Sequence, residues 1–160
     1  MQVKAFTNDN RQYIYISATQ QSVDLTTKTM TLIGTVVVKY GSIDIRANKA
    51  IAYFNEKDSY KVVEGYGDPV KFFQFQENGK LLQGHASKVR YEFLNDLLML
   101  TGKACIEQLD SKVKGDRIIY HVKKNKIEVL SDTNKQVTAI LAPVQFQDEF
   151  IKKTSINPIK

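Results

Sequence analysis

The chain has 160 residues, 42% of them apolar and 25% charged, with a formal net charge of +6. That length suits one domain with a sizeable core, and the positive surplus fits either an acidic partner (nucleic acid, a membrane surface, a phosphorylated ligand) or solubility alone. A single cysteine, Cys105, excludes an intrachain disulfide framework and a cysteine-built zinc site, and no apolar run reaches the length of a spanning helix.

At the N-terminus MQVKAFTNDN has neither an apolar h-region nor a small-residue cleavage site, which leaves a cytoplasmic protein or one whose leader has been removed. Met1 to Asp9 is one of two stretches that could hold a turn of helix. Residues 1–12 are read as an N-terminal segment, 13–136 as the body of the domain and 137–160 as a C-terminal extension. Tyr13-Ile14-Tyr15-Ile16 then opens a strand that is apolar on both faces, unusual for a solvated edge. From Met30 the even positions run Met30, Leu32, Gly34, Val36, Val38 while Thr31, Thr35 and Lys39 fall between them. That alternation predicts a half-buried strand in an antiparallel sheet. Leu98, Leu100, Gly102, Ala104 and Ile106 repeat the phase, and a glycine inside each strand points to a bulge or close backbone approach.

Turn residues punctuate the rest: Thr26 to Thr29, Asn55 to Ser59, Gly67-Asp68-Pro69, Asn78-Gly79, Asn95-Asp96, Lys124-Asn125 and Ser131 to Asn134. Asn78-Gly79 predicts a two-residue hairpin turn. Together they divide the chain into about ten or eleven strands, so the fold class is all-β and antiparallel. After Leu130 the pattern yields to Val137–Leu141 and Val144–Phe150, a possible strand pair or cap, and Glu149 to Lys153 is the second possible turn of helix.

The chain also echoes itself. Residues 18–34, ATQQSVDLTTKTMTLIG, and 86–102, ASKVRYEFLNDLLMLTG, lie 68 apart and match in chemical type more widely than in identity. A shorter unit recurs as Ala18-Thr19-Gln20, Ala47-Asn48-Lys49, Ala86-Ser87-Lys88 and Gly115-Asp116-Arg117, at spacings of 29, 39 and 29. In the last three a small residue precedes two polar ones and then an apolar one. If the small and apolar residues both face inward, each strand bends there. Bends at stacked positions would crease a long sheet into two halves meeting at an angle, and repetition on this scale suits an elongated scaffold better than a catalytic frame.

The ordered set Leu32-Ile33-Gly34-Thr35-Val36-Val37-Val38, Ile45-Arg46-Ala47-Asn48-Lys49, Gly67-Asp68-Pro69-Val70-Lys71-Phe72, Leu100-Thr101-Gly102-Lys103-Ala104 and Gly115-Asp116-Arg117-Ile118 resembles the OstA-like family, in particular its periplasmic bridge proteins of lipopolysaccharide transport in Gram-negative bacteria. The resemblance spans about Ile14 to Leu130. It implies a V-shaped, twisted antiparallel β-jelly-roll, open at its ends and built from two similar halves, whose apolar groove holds lipid A acyl chains. It also implies the periplasm, no cofactor or metal, and head-to-tail copies joined by strand pairing between an inner-membrane complex and an outer-membrane translocon. Membrane-anchored and translocon-associated relatives share the fold; the lack of an anchor or a barrel in this sequence favours the soluble bridge.

On that reading the groove lining comprises Ile14 and Ile16 at the start, Leu32, Val36, Val38 and Ile45 in the first half, and Val70 and Phe72 at the middle. Val89, Tyr91, Leu98, Leu100, Ile106, Ile118 and Tyr120 line the second half. Each could equally be an ordinary core residue. Assembly edges are expected at Tyr13 and Tyr15 on one side and at Ile127, Val129, Val137 and Ala139 on the other. The basic residues could meet lipid phosphates at the groove mouth or form a solvated face.

Other functions find less in the sequence. His85 and His121 are the only histidines, no phosphate loop, nucleophile elbow or metal-ligand spacing occurs, and Asp44, Glu64 and Glu107 are expected to be scattered, solvent-facing carboxylates. An enzyme is therefore not expected. Lys71-Phe72-Phe73-Gln74-Phe75 could form an aromatic platform for bases, and exposure of Phe73 or Phe75 would favour that rival. A parallel β-helix would recur at a shorter, steadier period.

Overall fold

The computed structural model describes residues 2–3, 13–55, 57, 60–132 and 134–143. It contains eleven strands in one antiparallel sheet: β1 (Gln2–Val3), β2 (Ile14–Ser17), β3 (Gln20–Asp24), β4 (Thr29–Tyr40), β5 (Ile43–Phe54), β6 (Tyr60–Phe75), β7 (Leu81–Glu92), β8 (Leu97–Gln108), β9 (Ser111–His121), β10 (Lys126–Leu130) and β11 (Thr138–Ile140). No helix occurs among the described residues. Within Met1 to Asp9, one stretch expected to allow a turn of helix, Gln2–Val3 is strand; the rest of it, like the possible helix at 149–153, lies outside the described residues.

From β4 to β10 each strand pairs with the next, so the sheet is a meander. Its two outer strands are each broken. β2 and β3 share one edge of β4, pairing with Val37–Tyr40 and Thr29–Ile33. At the opposite end β10 and β11 share one edge of β9, pairing with Arg117–His121 and Lys112–Lys114. The expected strand at Val137–Leu141 is therefore present as β11, but its partner is β9; the partner expected at Val144–Phe150 lies outside the described residues.

The expected bends are real and aligned. Register slips at Ile33/Val36 on β4, Arg46/Lys49 on β5, Tyr66/Val70 on β6, His85/Lys88 on β7 and Thr101/Ala104 on β8. These positions neighbour one another across the sheet, and together they make one crease. Along β5, Ala47 and Ala50 turn inward while Asn48 and Lys49 between them face out; Ala86 and Val89 repeat this on β7. An extra residue in one strand raises local twist and bends it, so five aligned irregularities fold the long sheet over on itself into two layers.

The internal echo has a structural counterpart at the same places. Gly34 and Gly102 have φ of 82° and 86°, and the next residues, Thr35 and Lys103, have φ of 46° and 48°. A Cβ on Gly34 would come within 2.8 Å of Thr19 Oγ1, and one on Gly102 within 2.9 Å of Ser87 Oγ. Both the backbone conformation and the close approach require glycine. The four-residue loops 25–28, 93–96 and 122–125 close with Lys28, Asp96 and Asn125 at φ of 57°, 46° and 53°. The loop at Asn78-Gly79 is longer than the two residues expected. Gln76 N–H donates to Lys80 O and Gly79 N–H to Gln76 O, so Glu77, Asn78 and Gly79 form a three-residue hairpin with glycine at the left-handed position.

Candidate functional site

The two layers meet through their inner faces, and every candidate lining residue lies there. Ile14, Ile16, Leu32, Val36, Val38, Ile45, Val70, Phe72, Val89, Tyr91, Leu98, Leu100, Ile106, Ile118 and Tyr120 are all buried and belong to one hydrophobic cluster. Side-chain size is graded along it. Ala18, Ala50, Ala86 and Ala104 sit by the crease, whereas Tyr40, Tyr91, Phe93 and Tyr120 sit at the far, hairpin end. Layers that diverge from a crease leave a wedge, and close packing fills a wedge with small residues at its apex and large ones at its mouth. The rings meet edge-on: Tyr40 with Phe93 at 5.1 Å, Tyr40 with Tyr91 at 5.7 Å and Phe72 with Tyr120 at 6.1 Å between centroids. The lining thus closes on itself. The expected groove is a packed apolar interior, because its own side chains occupy the wedge.

Space opens at the mouth. A cleft of about 1020 Å³ lies between hairpins of opposite layers, with Tyr40–Ile43 and Gln74–Asn78 on one side and Tyr91, Asp96, Tyr120 and Val122–Asn125 on the other. Its floor is polar. Tyr120 Oη donates to Gln74 Oε1 at 2.7 Å, Gln74 Nε2 donates to Ser42 Oγ at 3.0 Å, and Gln108 Nε2 donates to Gln76 Oε1 at 2.8 Å. Beside them Tyr91 Oη donates to Asp96 Oδ1 at 2.8 Å, and Lys123 Nζ lies 2.9 Å from Asp96 Oδ2. Burial, with the hydrogen bond to Asp96, holds the Tyr91 hydroxyl far above its ordinary range; burial also raises that of Tyr120, against the hydrogen bonds with the two glutamines. Both hydroxyls are therefore neutral donors at any physiological pH.

Sequence reasoning did not single out these glutamines, although the signal was present. Val70, Phe72 and Gln74 share one phase on β6, which Gln76 continues just past its end, as Ala104, Ile106 and Gln108 do on β8, so the inner face turns from apolar to amide as each strand reaches the mouth. It also passed over two tight hairpins, Gly41-Ser42 and Leu109-Asp110, whose first residues both have positive φ, 57° and 55°.

The edge candidates divide. Tyr13 and Tyr15 are 60% and 50% exposed, standing outward while Ile14 and Ile16 stand inward. The Ile16–Ser17 part of that edge is paired by β1. Ile127 and Val129 are buried in the core, so they are interior residues of an edge strand whose backbone alone is available. Val137, just before β11, is exposed, and Ala139 on β11 is half-buried.

Glu64 corrects another expectation. It is only 7% exposed, under a cover of neighbouring side chains on the outer face. Lys88 Nζ and Arg90 Nη1 reach its Oε2 at 3.1 and 3.0 Å, and Tyr53 and Tyr66 hydroxyls donate to its Oε1 at 3.0 and 3.2 Å. Burial alone would raise this carboxyl; the hydrogen bonds from Lys88, Arg90 and Tyr53 outweigh it and hold the group below the ordinary carboxylate range. Asp44 is paired with Arg46 at 2.7 Å. Among the described residues no group of three or more His, Cys, Asp or Glu side chains could hold a metal ion. Cys105 is buried on its strand, and burial raises its thiol. On the Lys71–Phe75 stretch, Phe75 is 68% exposed and Phe73 half-buried, while Phe72 faces the core. Phe75 is the exposure that a base-stacking rival would want. It lies at a hairpin end opposite Leu81, and Phe73 lies between Asp44 and Gln83 in register, so neither ring has an aromatic cross-strand partner with which to form a stacking platform.

Comparison with known proteins adds four findings. Residues 15–126 match the family described as LptA/(LptD N-terminal domain) LPS transport protein. The chain is 43% identical to the lipopolysaccharide export system protein LptA of Escherichia coli K12 over 146 residues, 91% of this chain and 79% of that protein. It is 39% identical to the protein of the same name from Haemophilus influenzae, over 89% of this chain and 84% of that one. In structure it resembles the crystal structure of LptH, the LptA-homologous periplasmic component of the lipopolysaccharide transport device of Pseudomonas aeruginosa. There the TM-score is 0.75 at 18% identity, over 82% of this chain and 96% of that one, a likeness of fold.

Proposed function

The chain belongs to the LptA/LptD N-terminal-domain family of lipopolysaccharide transport proteins, and from that premise we propose that it is a periplasmic lipopolysaccharide carrier and bridge, holding lipid A acyl chains between its two layers. The observation that carries this reading is the likeness to two lipopolysaccharide export proteins over nine-tenths of the chain. The interior supplies a physical means. Moving acyl chains from water into an apolar medium is worth about 0.8 kcal/mol per methylene, so a lipid with several chains cannot cross an aqueous gap unaided. A conduit needs only an interior about as apolar as the steps before and after it. Across the mouth the layers touch by side chains, and acyl chains can replace those contacts like for like.

The rest of the reading concerns assembly. Broken edge strands bound the sheet at both ends, β2/β3 and β10/β11. Backbone pairing of one copy's β10 edge with the β2 side of the next is a heterologous contact that extends without closing. It would continue the interior towards partners at the inner and outer membranes.

Equilibrium dialysis against radiolabelled lipopolysaccharide tests the carrier. Saturable retention competed by lipid A, and not by the acyl-free core saccharide, is expected; no retention by folded protein would refute it. Light scattering over a concentration series tests assembly, with a mass that climbs in open steps expected and a fixed monomer or dimer against it.

A further inference from the structure

Buried Gln74, Gln108 and Tyr120, with half-buried Gln76, form an amide–hydroxyl cluster at one end of an otherwise apolar interior. We infer that this cluster is the head-group site of the bound amphiphile, recognising a hydroxylated, amide-bearing amino sugar by neutral hydrogen bonds while the acyl chains run inward; the inference rests on the carrier reading above.

Three observations converge on it. First, position: the cluster lies where the inner faces of β6 and β8 change from apolar to amide, between the packed interior and the cleft of about 1020 Å³. An amphiphile with its chains among Leu98, Leu100 and Phe72 has its polar end here and nowhere nearer the crease. Second, cost: burying an amide is unfavourable unless it is hydrogen-bonded, and an aliphatic residue at Gln74 or Gln108 would continue the lining without that demand. Third, chemistry: the groups that face the cleft are mainly neutral. Lys123 is paired with Asp96, and Lys124 and Glu77 bring opposite charges to the rim. Three amides and a hydroxyl supply donors and acceptors together, as sugar hydroxyls and N-acyl groups require, whereas a phosphate would call for cations. The hydrogen bonds that now join Tyr120 of one layer to Gln74 of the other are exchangeable: opening the mouth breaks them, and the head group replaces them.

The experiment follows side-chain signals of the wild-type protein by NMR, titrated with hexa-acylated lipid A or with palmitate. The expected result is that lipid A moves both the Leu98 and Leu100 methyls and the side-chain amides of Gln74, Gln76 and Gln108, while palmitate moves the methyls alone. Methyl shifts with lipid A but still amides, or amide shifts equal for both probes, would overturn the head-group site and leave the carrier standing. Absence of methyl shifts with lipid A would overturn the carrier reading itself, and this inference with it. As a second arm, the double variant Gln74→Leu/Gln108→Leu should bind lipid A at least tenfold more weakly yet bind palmitate as wild type does; unchanged lipid A affinity would contradict the assignment.

Discussion

Replacing Gly102 by alanine should destabilise the fold by about 3 kcal/mol, and the loss should be coupled to Ser87. Two costs add. A residue with a Cβ held at the φ of 86° found here carries a penalty of about 1–2 kcal/mol relative to glycine. The new Cβ would also lie 2.9 Å from Ser87 Oγ and 3.0 Å from Ser87 Cβ, an overlap of the kind that typically costs about 1–3 kcal/mol. Because Ser87 is on β7 and Gly102 on β8, neither can yield without shifting the crease. Urea unfolding of four proteins measures this: wild type, Gly102→Ala, Ser87→Gly and the double variant. Removing the Ser87 side chain should abolish the overlap but not the φ penalty, leaving alanine costing about 1–2 kcal/mol in that background. A Gly102→Ala loss below about 0.5 kcal/mol, within the scatter of ordinary surface substitutions, would refute the account of the crease. So would the same loss with and without Ser87.

Two further outcomes follow from the outer face and the second half. The depressed Glu64 carboxyl contributes stability that is present above its unfolded value and lost as pH falls through its folded one. Glu64→Gln should therefore flatten the acid limb of a stability-against-pH curve below the ordinary carboxylate range, and an unchanged limb would contradict the network. Leu109→Gly should raise stability by up to about 1 kcal/mol, since an exposed leucine there holds a φ of 55° where the first half has Gly41; thermal unfolding checks it, and a lower midpoint would count against this.

Much of this architecture was legible because strand patterning is strictly periodic. Leu32 and Val38, or Leu98 and Ile106, announce one face by alternation alone, and the small–polar–polar–apolar unit at Ala47 and Ala86 announced a bend because it breaks that alternation. The repeat in sequence proved to be a repeat of conformation at Gly34 and Gly102. Other features were hidden for physical reasons. Glu64 reads as a solvent-facing strand carboxylate, and nothing local reveals that side chains from β5 and β7 cover it. Ile127 and Val129 do lie on an edge strand, but such a strand is free along its backbone and can still turn its side chains into the core. Leu109 gives no turn signal, since its left-handed backbone is imposed by a two-residue connection between β8 and β9. The glutamines at the mouth kept the inward phase yet look polar, so a search for apolar lining passes over them.

The most direct test of the central claim places a photo-crosslinking amino acid at Leu32, at Leu100 and, facing outward, at Lys39, then exposes each folded protein to lipopolysaccharide. The two leucines are fully buried between the layers, whereas the Lys39 side chain is 56% exposed. Adducts at Leu32 and Leu100 with none at Lys39 are predicted. Adducts at Lys39 alone, or silence at all three, would contradict a lipid path through the interior.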